Sequence, residues 1–399
     1  MRDPERDAFP AVPMRRACHL ITRLITGGAQ RVALETAAFL ARRGWAVELW
    51  AGPETGPEGS LWEEAAARGL ATRVVPDLVR ATAPLRDARA CAWLAREFGR
   101  ARFELVHTHS SKAGVLGRLA AARARVPLRV HTQHGWSVTP ETPPALRHAY
   151  LGLERLAAGR CHAMIAVSAA VRDAGLAWRV GRAGQYRVIH AAVAEPAGTS
   201  GGERERIRQL WEIPPDALVL GTIGRLDHAK DPLGCWKALQ PLLESDERLW
   251  AVFVGDGPLR APLERALERS RCRGRVRLAG HLPRAAGVLP AFDVFFLGSR
   301  WEGFPLAVLE AMAGGLPVVA YRVAGLGEAI RDGESGRLVA PGDAEGWRLA
   351  LAQLAASGAA RARLGAAARS AVAERFRLET MLTETLALYE ELRGAAPVD

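Results

Sequence analysis

The chain has 399 residues, 49% apolar and 24% charged, a balance typical of globular proteins with large cores. It excludes a disordered chain, a collagen-like chain and a small disulfide scaffold, and no run approaches the ~18 apolar residues of a membrane-spanning helix. The net charge of +11 comes entirely from residues 1–200, which hold 28 Lys and Arg against 17 Asp and Glu, whereas residues 201–399 hold 26 of each. The first half is therefore expected to meet an anionic partner, whether nucleic acid, a membrane surface or a phosphorylated substrate.

The five cysteines are scattered and form no CxxC pair. They predict reduced thiols in a cytosolic protein, and not a zinc or disulfide framework. Residues 1–16 mix acids with bases and contain no apolar segment, so we expect a flexible tail and no secretory signal. Only three of the 54 basic residues are lysines, and this rarity makes each of them a candidate functional residue: Lys112, Lys230 and Lys237.

From residue 17 onward, short apolar runs alternate with helical periodicity. The first run, 17–24, leads into a glycine turn, and a helix is predicted over 30–43. Such alternation predicts a parallel sheet covered by helices on both faces, and we assign residues 17–196 to a first domain. The further strands predicted there are 46–50, 72–75, 105–107, 129–132, 163–167 and 187–189.

Residues 194–206 lose apolar content and gain Gly, Ser and charge, so we predict a linker at 197–206 and a second domain at 207–374. Each half is long enough for a doubly wound α/β domain, and ligands of such sheets bind at the carboxyl ends of the strands. The predicted strands of this domain are 218–223, 249–254, 276–278, 294–297 and 317–320, with helices at 232–243, 258–271 and 306–312.

The strongest candidate site is SRWEGFPLAVLEAMAGGLPVV, residues 299–319. It joins a strand end to a short loop and to a helix that follows Pro305, a residue suited to a first helical turn. The free amides at this helix start would favour a phosphate, and Glu310 inside the helix would accept hydrogen bonds from sugar hydroxyls. The candidate ligand-binding residues here are Glu302, Gly303, Phe304, Pro305, Leu306 and Glu310.

This segment resembles the EX7E motif of the family 4 retaining glycosyltransferases, which have the GT-B fold, two doubly wound Rossmann-like domains facing across a cleft. Three other segments of the second half resemble the same family: GTIGRLDHAKDP, FVGDGPLR and LAGHLPR. In the first half the matches are looser: LITGGAQR, VHTHSSKAGVLGRLAA and HTQHGWS. The resemblance extends from about residue 17 to residue 394 and implies an α/β GT-B fold.

The resemblance assigns a nucleotide-diphosphate sugar to the second domain. Arg225 and Lys230 would clamp the diphosphate, because a guanidinium and a compact ammonium at a strand end suit phosphate oxygens. Their charges would also stabilise the departing diphosphate. Glu302 with the 303–304 backbone would hold the transferred sugar, and Glu310 the ribose. The remaining residues expected to approach or border the donor are Gly27, Gly28, Gly224, Gly255, His281 and Leu282.

Four histidines of the first half fall in the matched segments. By resemblance, His109 lies near the reacting sugar carbon, and His131 and His134 lie on the acceptor side of the cleft. His107 is expected to be a core or supporting residue. Because the chain has no Asp-x-Asp motif and no acidic ligand beside these histidines, we expect no bound metal.

The sequence thus predicts a metal-independent, retaining glycosyltransferase. It would move a sugar from a nucleotide-diphosphate donor, with UDP the expected carrier, to a lipid-linked or polysaccharide intermediate of cell-surface glycan synthesis. We expect a cytoplasmic protein that binds the inner face of the membrane peripherally through its basic half, with the amphipathic stretch 143–160 as a contact. By resemblance, residues 375–394 form a helix that packs back on the first domain.

Two other functions stay open. A GT-B enzyme that is not a transferase, such as a nucleotide-sugar epimerase, would need acid/base carboxylates in the first half beside the cleft, and the sequence suggests none near the glycine turn or His109. A nucleic-acid-binding protein would account for the charge, but no binding module and no interleaved basic-aromatic stripe is present, so we expect no nucleic-acid partner.

Overall fold

The computed structural model describes residues 15–54, 56, 58–196 and 202–395, so most of the predicted tail lies outside the described residues. The strands of the first domain are β1 (Arg16–Arg23), β2 (Ala46–Gly52), β3 (Ala71–Val74), β4 (Leu105–His109), β5 (Leu128–Gln133), β6 (Ala163–Ala166) and β7 (Tyr186–Val188). The helices are α1 (Gly28–Arg42), α2 (Trp62–Ala67), α3 (Pro84–Ala101), α4 (Ser111–Arg123), α5 (Pro144–Ala158) and α6 (Ala169–Ala177). All strands are parallel, in the order β3-β2-β1-β4-β5-β6-β7.

The second domain repeats this plan with six parallel strands. They are β8 (Leu218–Ile223), β9 (Leu249–Val254), β10 (Val276–Gly280), β11 (Val294–Leu297), β12 (Val318–Tyr321) and β13 (Arg337–Val339). The helices are α7 (Glu203–Leu210), α8 (Pro232–Ser245), α9 (Arg260–Glu268), α10 (Leu306–Ala313), α11 (Leu326–Ala329), α12 (Ala344–Ala356), α13 (Gly358–Arg375) and α14 (Leu378–Ala395). The strand order is β10-β9-β8-β11-β12-β13.

Most strand residues are buried, because helices cover both faces of a parallel sheet. In β1 six consecutive residues are buried, and in β11 all four are. The strand order reverses direction between β1 and β4 and again between β8 and β11. At such switch points the connecting chains leave on opposite faces of the sheet, and a crevice opens beyond the strand ends. The predicted two-domain α/β architecture is confirmed.

Several element ends differ from the predicted ones by a few residues, among them β4, which extends to His109. Strand β13 was not predicted, because it has three residues and only one is buried. Residues 197–201 of the predicted linker lie outside the described part of the chain, and its last residues already belong to α7. The C-terminal helix α14 begins at Leu378, since Arg375 still belongs to α13.

The chain returns to the first domain at its C-terminal end. Beside the connection between the domains, Val193 donates its N–H to the carbonyl of Phe376 (3.2 Å) and accepts from the N–H of Leu378 (3.0 Å). Helix α14 then packs against α1 and β5. Its Tyr389 is fully buried, with the hydroxyl 2.5 Å from Nδ1 of His107 on β4. Within the described residues, the helices include none with the length and apolar character of a membrane span.

Candidate active site

A cleft of about 1310 Å³ lies between the two domains. Its walls are the segments that directly follow β1, β8, β9 and β11, so it occupies the carboxyl-end crevice of both sheets. Fifteen of the residues singled out from the sequence line it: Gly27, Gly28, His134, Gly224, Arg225, Lys230, Gly255, His281, Leu282, Glu302, Gly303, Phe304, Pro305, Leu306 and Glu310.

Two of the cationic side chains that line the cleft, Arg225 and Lys230, each face a carboxylate. Nε of Arg225 lies 3.0 Å from Oε1 of Glu58, although the pair is not aligned as a hydrogen bond. Nζ of Lys230 forms an ion pair with Glu302. The side chains of Arg225 and Lys230 keep 27% and 26% of their surface exposed. Because both side chains are only partly buried, each can exchange its carboxylate partner for phosphate oxygens.

Helix α10 presents an uncapped start to the same cleft. Pro305 precedes its first residue, and no side chain caps the amides of the first turn. Such amides, with the positive end of the helix dipole, attract an anion. One turn further in, burial raises the pKa of Glu310, an effect that the charge of Arg31 partly opposes. The helix thus places amide donors beside a carboxyl group that is largely shielded from water.

The two domains touch backbone to backbone at the rim of the cleft. The Cα of Gly303 lies so close to the His134–Gly135 segment that a Cβ at Gly303 would overlap the His134 carbonyl oxygen. Gly135 has a φ of +151°, which L side chains rarely adopt. The hydroxyl of Ser168 donates to the Gly303 carbonyl across the same contact (3.4 Å). Glycine is required at Gly303 because any larger residue would push the domains apart.

The histidines form a row that runs from the core of the first domain to the cleft. His134 lines the cleft, and its Nε2 lies 3.0 Å from Nδ1 of His109. Nε2 of His109 in turn lies 3.1 Å from Nδ1 of His19. His109 has no exposed surface and lies behind His134. The reason is that β4 extends to His109, which pairs with Thr132 inside the sheet, whereas His134 is the first residue beyond β5.

The other two histidines also lie behind the cleft surface. His131, expected on the acceptor side, is fully buried between the Thr108 hydroxyl and the Gln133 side chain, each 2.9 Å from a ring nitrogen. His107 lies between Tyr389 and the hydroxyl of Thr132 (2.7 Å), the core position expected for it. Of the four first-domain histidines singled out from the sequence, only His134 lines the cleft within the described part of the chain.

The rings of His19, His107 and His109 are close enough to share a metal ion, with ligand atoms within 4.8 Å of one another. An ion there would have to displace hydrogen bonds that these rings already make to one another and to Tyr389 and Thr132. Burial lowers the pKa of His19 to about 3 and the pKa values of His107 and His109 well below their usual range. The rings are therefore neutral and act as hydrogen-bonding groups.

Sequence reasoning missed three residues of this region. Glu58 lines the cleft and faces Arg225, Arg31 lies near Glu310, and His19 continues the histidine row. Glu58 follows β2, the strand beside β1, so a search of every strand end next to the switch point could have found it. The structure also places Glu35 in the cleft wall, which corrects the expectation that no carboxylate lies near the glycine turn.

Comparison with known proteins agrees with this geometry. The model of Glycosyltransferase Family 4 matches residues 26–195, and that of Glycosyl transferases group 1 matches residues 203–371. A UDP-Gal:alpha-D-GlcNAc-diphosphoundecaprenol alpha-1,3-galactosyltransferase of Escherichia coli is 28% identical over 346 residues, 85% of this chain and 87% of that protein. A D-inositol 3-phosphate glycosyltransferase of Actinosynnema mirum is 31% identical over 354 residues, 82% and 84% of the two chains.

Solved structures show the same fold. Anabaena Alr3699/HepE, crystallised with UDP and glucose, superposes with a TM-score of 0.82 at 21% identity, over 94% of this chain and all of that one. WaaG, a glycosyltransferase involved in lipopolysaccharide biosynthesis, superposes with a TM-score of 0.74 at 18% identity, over 93% and 98%. The paired family matches, the relatives and the two-domain cleft lead to one conclusion: the chain belongs to the family 4 glycosyltransferases, enzymes of the GT-B fold.

Proposed function

We propose that the enzyme transfers a sugar from a UDP-linked donor, with retention and without a metal ion, to an acceptor that carries a phosphate or diphosphate. The observation that carries this proposal is the convergence of Arg225, Lys230 and the uncapped start of α10 in one cleft. The named donor of the E. coli relative and the UDP in the HepE crystals support uridine. The names of the two relatives, a diphosphoundecaprenol and an inositol phosphate enzyme, support an acceptor with phosphate.

The two cations serve the departing diphosphate. As the bond to the sugar breaks, negative charge accumulates on the diphosphate, so Arg225 and Lys230 bind the transition state more strongly than the ground state. Donor binding exchanges the carboxylates of Glu58 and Glu302 for phosphate oxygens. Glu302, released from Lys230, is then free to accept hydrogen bonds from the sugar. The acceptor hydroxyl attacks from the face that the diphosphate leaves, and its proton passes to a phosphate oxygen.

The remaining donor contacts follow from the walls of the cleft. Glu310 accepts hydrogen bonds from the ribose hydroxyls, and its burial strengthens them. Gly28 brings the first-domain wall to the start of α10, where a Cβ in its place would lie in ordinary van der Waals contact with Leu306. His134 offers its second ring nitrogen to the sugar, while His109 fixes the orientation of the ring from behind.

The test is transfer activity with a panel of UDP-sugars and a polyprenyl-diphosphate sugar acceptor. We expect Arg225→Ala and Lys230→Ala each to lower turnover at least about 100-fold, the usual cost of removing one group that stabilises transition-state charge. Lys237→Ala and Arg248→Ala are matched controls, because both side chains are exposed on the second domain away from the cleft. Near-full turnover in both cleft variants would contradict the proposal.

The same assay separates transfer from epimerisation. Glu35 and Glu58 stand in the first-domain wall, where an epimerase needs acid/base groups, but Glu35 is 2.8 Å from Arg68 and Glu58 faces Arg225. Both carboxylates are thus already engaged by arginines and are not free to take a proton from the sugar. We therefore expect no sugar epimer when the enzyme is incubated with UDP-sugars alone, and epimer formation without acceptor would favour the alternative.

A lipid-linked acceptor would bring the enzyme to a membrane surface. Helix α5 exposes Leu146, Leu153 and Leu156, by 48%, 47% and 52%, on one stripe of the helix. Leu151, which lies in the same predicted stretch 143–160, is buried instead. An exposed apolar stripe on a domain with a net positive charge suits the interface of an anionic leaflet.

Flotation with anionic and neutral liposomes at low and high salt tests this surface. We expect binding to anionic liposomes at low salt, weakened by salt. A Leu153→Glu/Leu156→Glu variant should not float, whereas Leu210→Glu, a change at a still more exposed leucine of the second domain, should float like the parent. Failure to float in all four conditions would make a soluble acceptor the better explanation.

A further inference from the structure

A second cavity, of about 520 Å³, opens on the first domain. It lies at the carboxyl ends of β1 and β2, because Arg23 is the last residue of β1 and Glu54 follows β2 by two residues. The opposite wall is the segment before α3. The residues that line it are Arg23, Glu54, Arg80, Ala81 and Thr82.

Two arginine side chains in this cavity have unused donors. Arg23 is only 14% exposed, yet its guanidinium makes no hydrogen bond to any described residue, and the nearest carboxylate, Glu58, is 3.9 Å away. The side chain of Arg80 likewise bonds to none of the described residues; only its backbone N–H is used, by Glu54. Burial lowers the pKa of Arg23; the charges of Glu58 and Glu54 oppose this effect, and those of Arg80 and Arg225 add to it. An arginine buried to the degree of Arg23 normally has hydrogen-bond partners, whereas Arg80 is exposed.

The cavity adjoins the donor cleft through a single carboxylate. Glu58 lies 3.0 Å from Arg225 in the cleft and 3.9 Å from Arg23 in the cavity. An anion bound to Arg23 and an anion bound to Arg225 would thus be separated only by the side chain of Glu58. The wall of the cavity is also held in place, because Nζ of Lys112 donates to the Ala81 carbonyl and lies 2.6 Å from the carboxylate of Asp87.

We propose that this cavity binds the phosphate of the acceptor, with Arg23 and Arg80 as its ligands. Two guanidinium groups with free donors match the oxygens of a phosphate monoester or a diphosphate, which arginine binds in a bidentate manner. Binding there supplies the missing partner of Arg23 and neutralises the mutual repulsion of Arg23 and Arg80. The site rests on the proposed function, since it places the second substrate beside the first, but its anion binding can be measured without any transfer.

The first test is calorimetric titration of inorganic pyrophosphate into protein saturated with UDP, so that Arg225 and Lys230 are already occupied. We expect one pyrophosphate per chain, and at least tenfold weaker binding in Arg23→Gln and in Arg80→Gln. Arg86→Gln is the matched control, since Arg86 is exposed on α3, pairs with Asp77 and does not line the cavity. Absence of pyrophosphate binding, or equal binding in all four proteins, would overturn the proposal.

The source of the phosphate is separated by competition in the same titration. Farnesyl diphosphate stands for a lipid-linked acceptor and myo-inositol 1-phosphate for a phosphorylated polyol; the one that displaces pyrophosphate at lower concentration identifies the class. Either result requires Arg23, and displacement that persists unchanged in Arg23→Gln overturns the site. UDP affinity should be the same in every variant, so that loss of UDP binding in the parent protein would instead contradict the proposed donor.

Discussion

Lowering the pH from 7.5 to 5.5 should destabilise the first domain selectively. Four histidines, His19, His107, His109 and His131, are at most 1% exposed. Burial lowers the pKa of each of them, to about 3 for His19 and well below the usual 6.5 for the others. In the unfolded chain each regains its ordinary pKa and binds a proton as the pH falls through 6.5. The unfolded state then holds more protons than the folded one, so stability declines with falling pH.

The magnitude follows from this difference in proton uptake. A histidine with an unfolded pKa of 6.5 and a folded pKa far below 5.5 loses about 1.4 kcal/mol of stabilisation between pH 7.5 and pH 5.5. For the four histidines the loss is about 5 kcal/mol. A typical domain is stable by about 5–15 kcal/mol, so the loss is large enough to bring the first domain close to unfolding. The strands β8, β9 and β11 of the second domain contain no histidine.

Hydrogen exchange measured by mass spectrometry at the two pH values, corrected for the intrinsic exchange rates, reports each sheet separately. The opening free energy of β1, β4 and β5 should fall by about 5 kcal/mol, while that of β8, β9 and β11 should change far less. His19→Gln should reduce the fall by about 1.4 kcal/mol, because one titrating group is gone. An equal change in both sheets, or none in the first, would refute the reasoning that these rings are neutral in the folded protein.

Three further results are expected. Gly303→Ala should lower transfer at least about tenfold by separating the domains at His134, while Gly327→Ala, where a Cβ meets open space, should leave it unchanged; an active Gly303→Ala enzyme would show that this contact is dispensable. Transfer should survive EDTA, because the proposed mechanism uses the charges of Arg225 and Lys230 in place of a metal ion, and activity lost to EDTA and restored by Mn²⁺ would point to a different mechanism. The product should keep the anomeric configuration of the donor when examined by proton NMR, and inversion would exclude front-face attack.

The fold could be predicted because its signals are local. Strands β9 and β11 are unbroken apolar runs, and the helix starts at Pro232 and after Pro305 are marked by proline. Strand β13 was not predicted, because its three residues, Arg-Leu-Val, are too few to show a periodicity. The cleft residues of the second domain could be found for the same reason, since they sit at fixed distances from strand ends.

The pairing of side chains across the cleft could not be predicted in this way. Lys230 and Glu302 are 72 residues apart and meet because β8 and β11 are neighbours. The position of His109 depends on where β4 ends. The strand predicted from the sequence ends at His107, which would leave His109 in the crevice. In the structure the strand is two residues longer, so His109 lies within the sheet. Errors of this size at an element's end are enough to exchange a surface residue for a core one.

The bridge between Val193 and residues 376–378 decides how the cleft can open. A single linker would let one domain swing and twist freely against the other. Here two passages of the chain cross side by side and are hydrogen-bonded to each other. Two adjacent tethers leave one easy motion, rotation about the line that they define, and they resist sliding and twisting. We therefore expect the cleft to open by rotation about this line, with the Gly303–His134 contact parting to release a bound nucleotide and re-forming when the cleft closes.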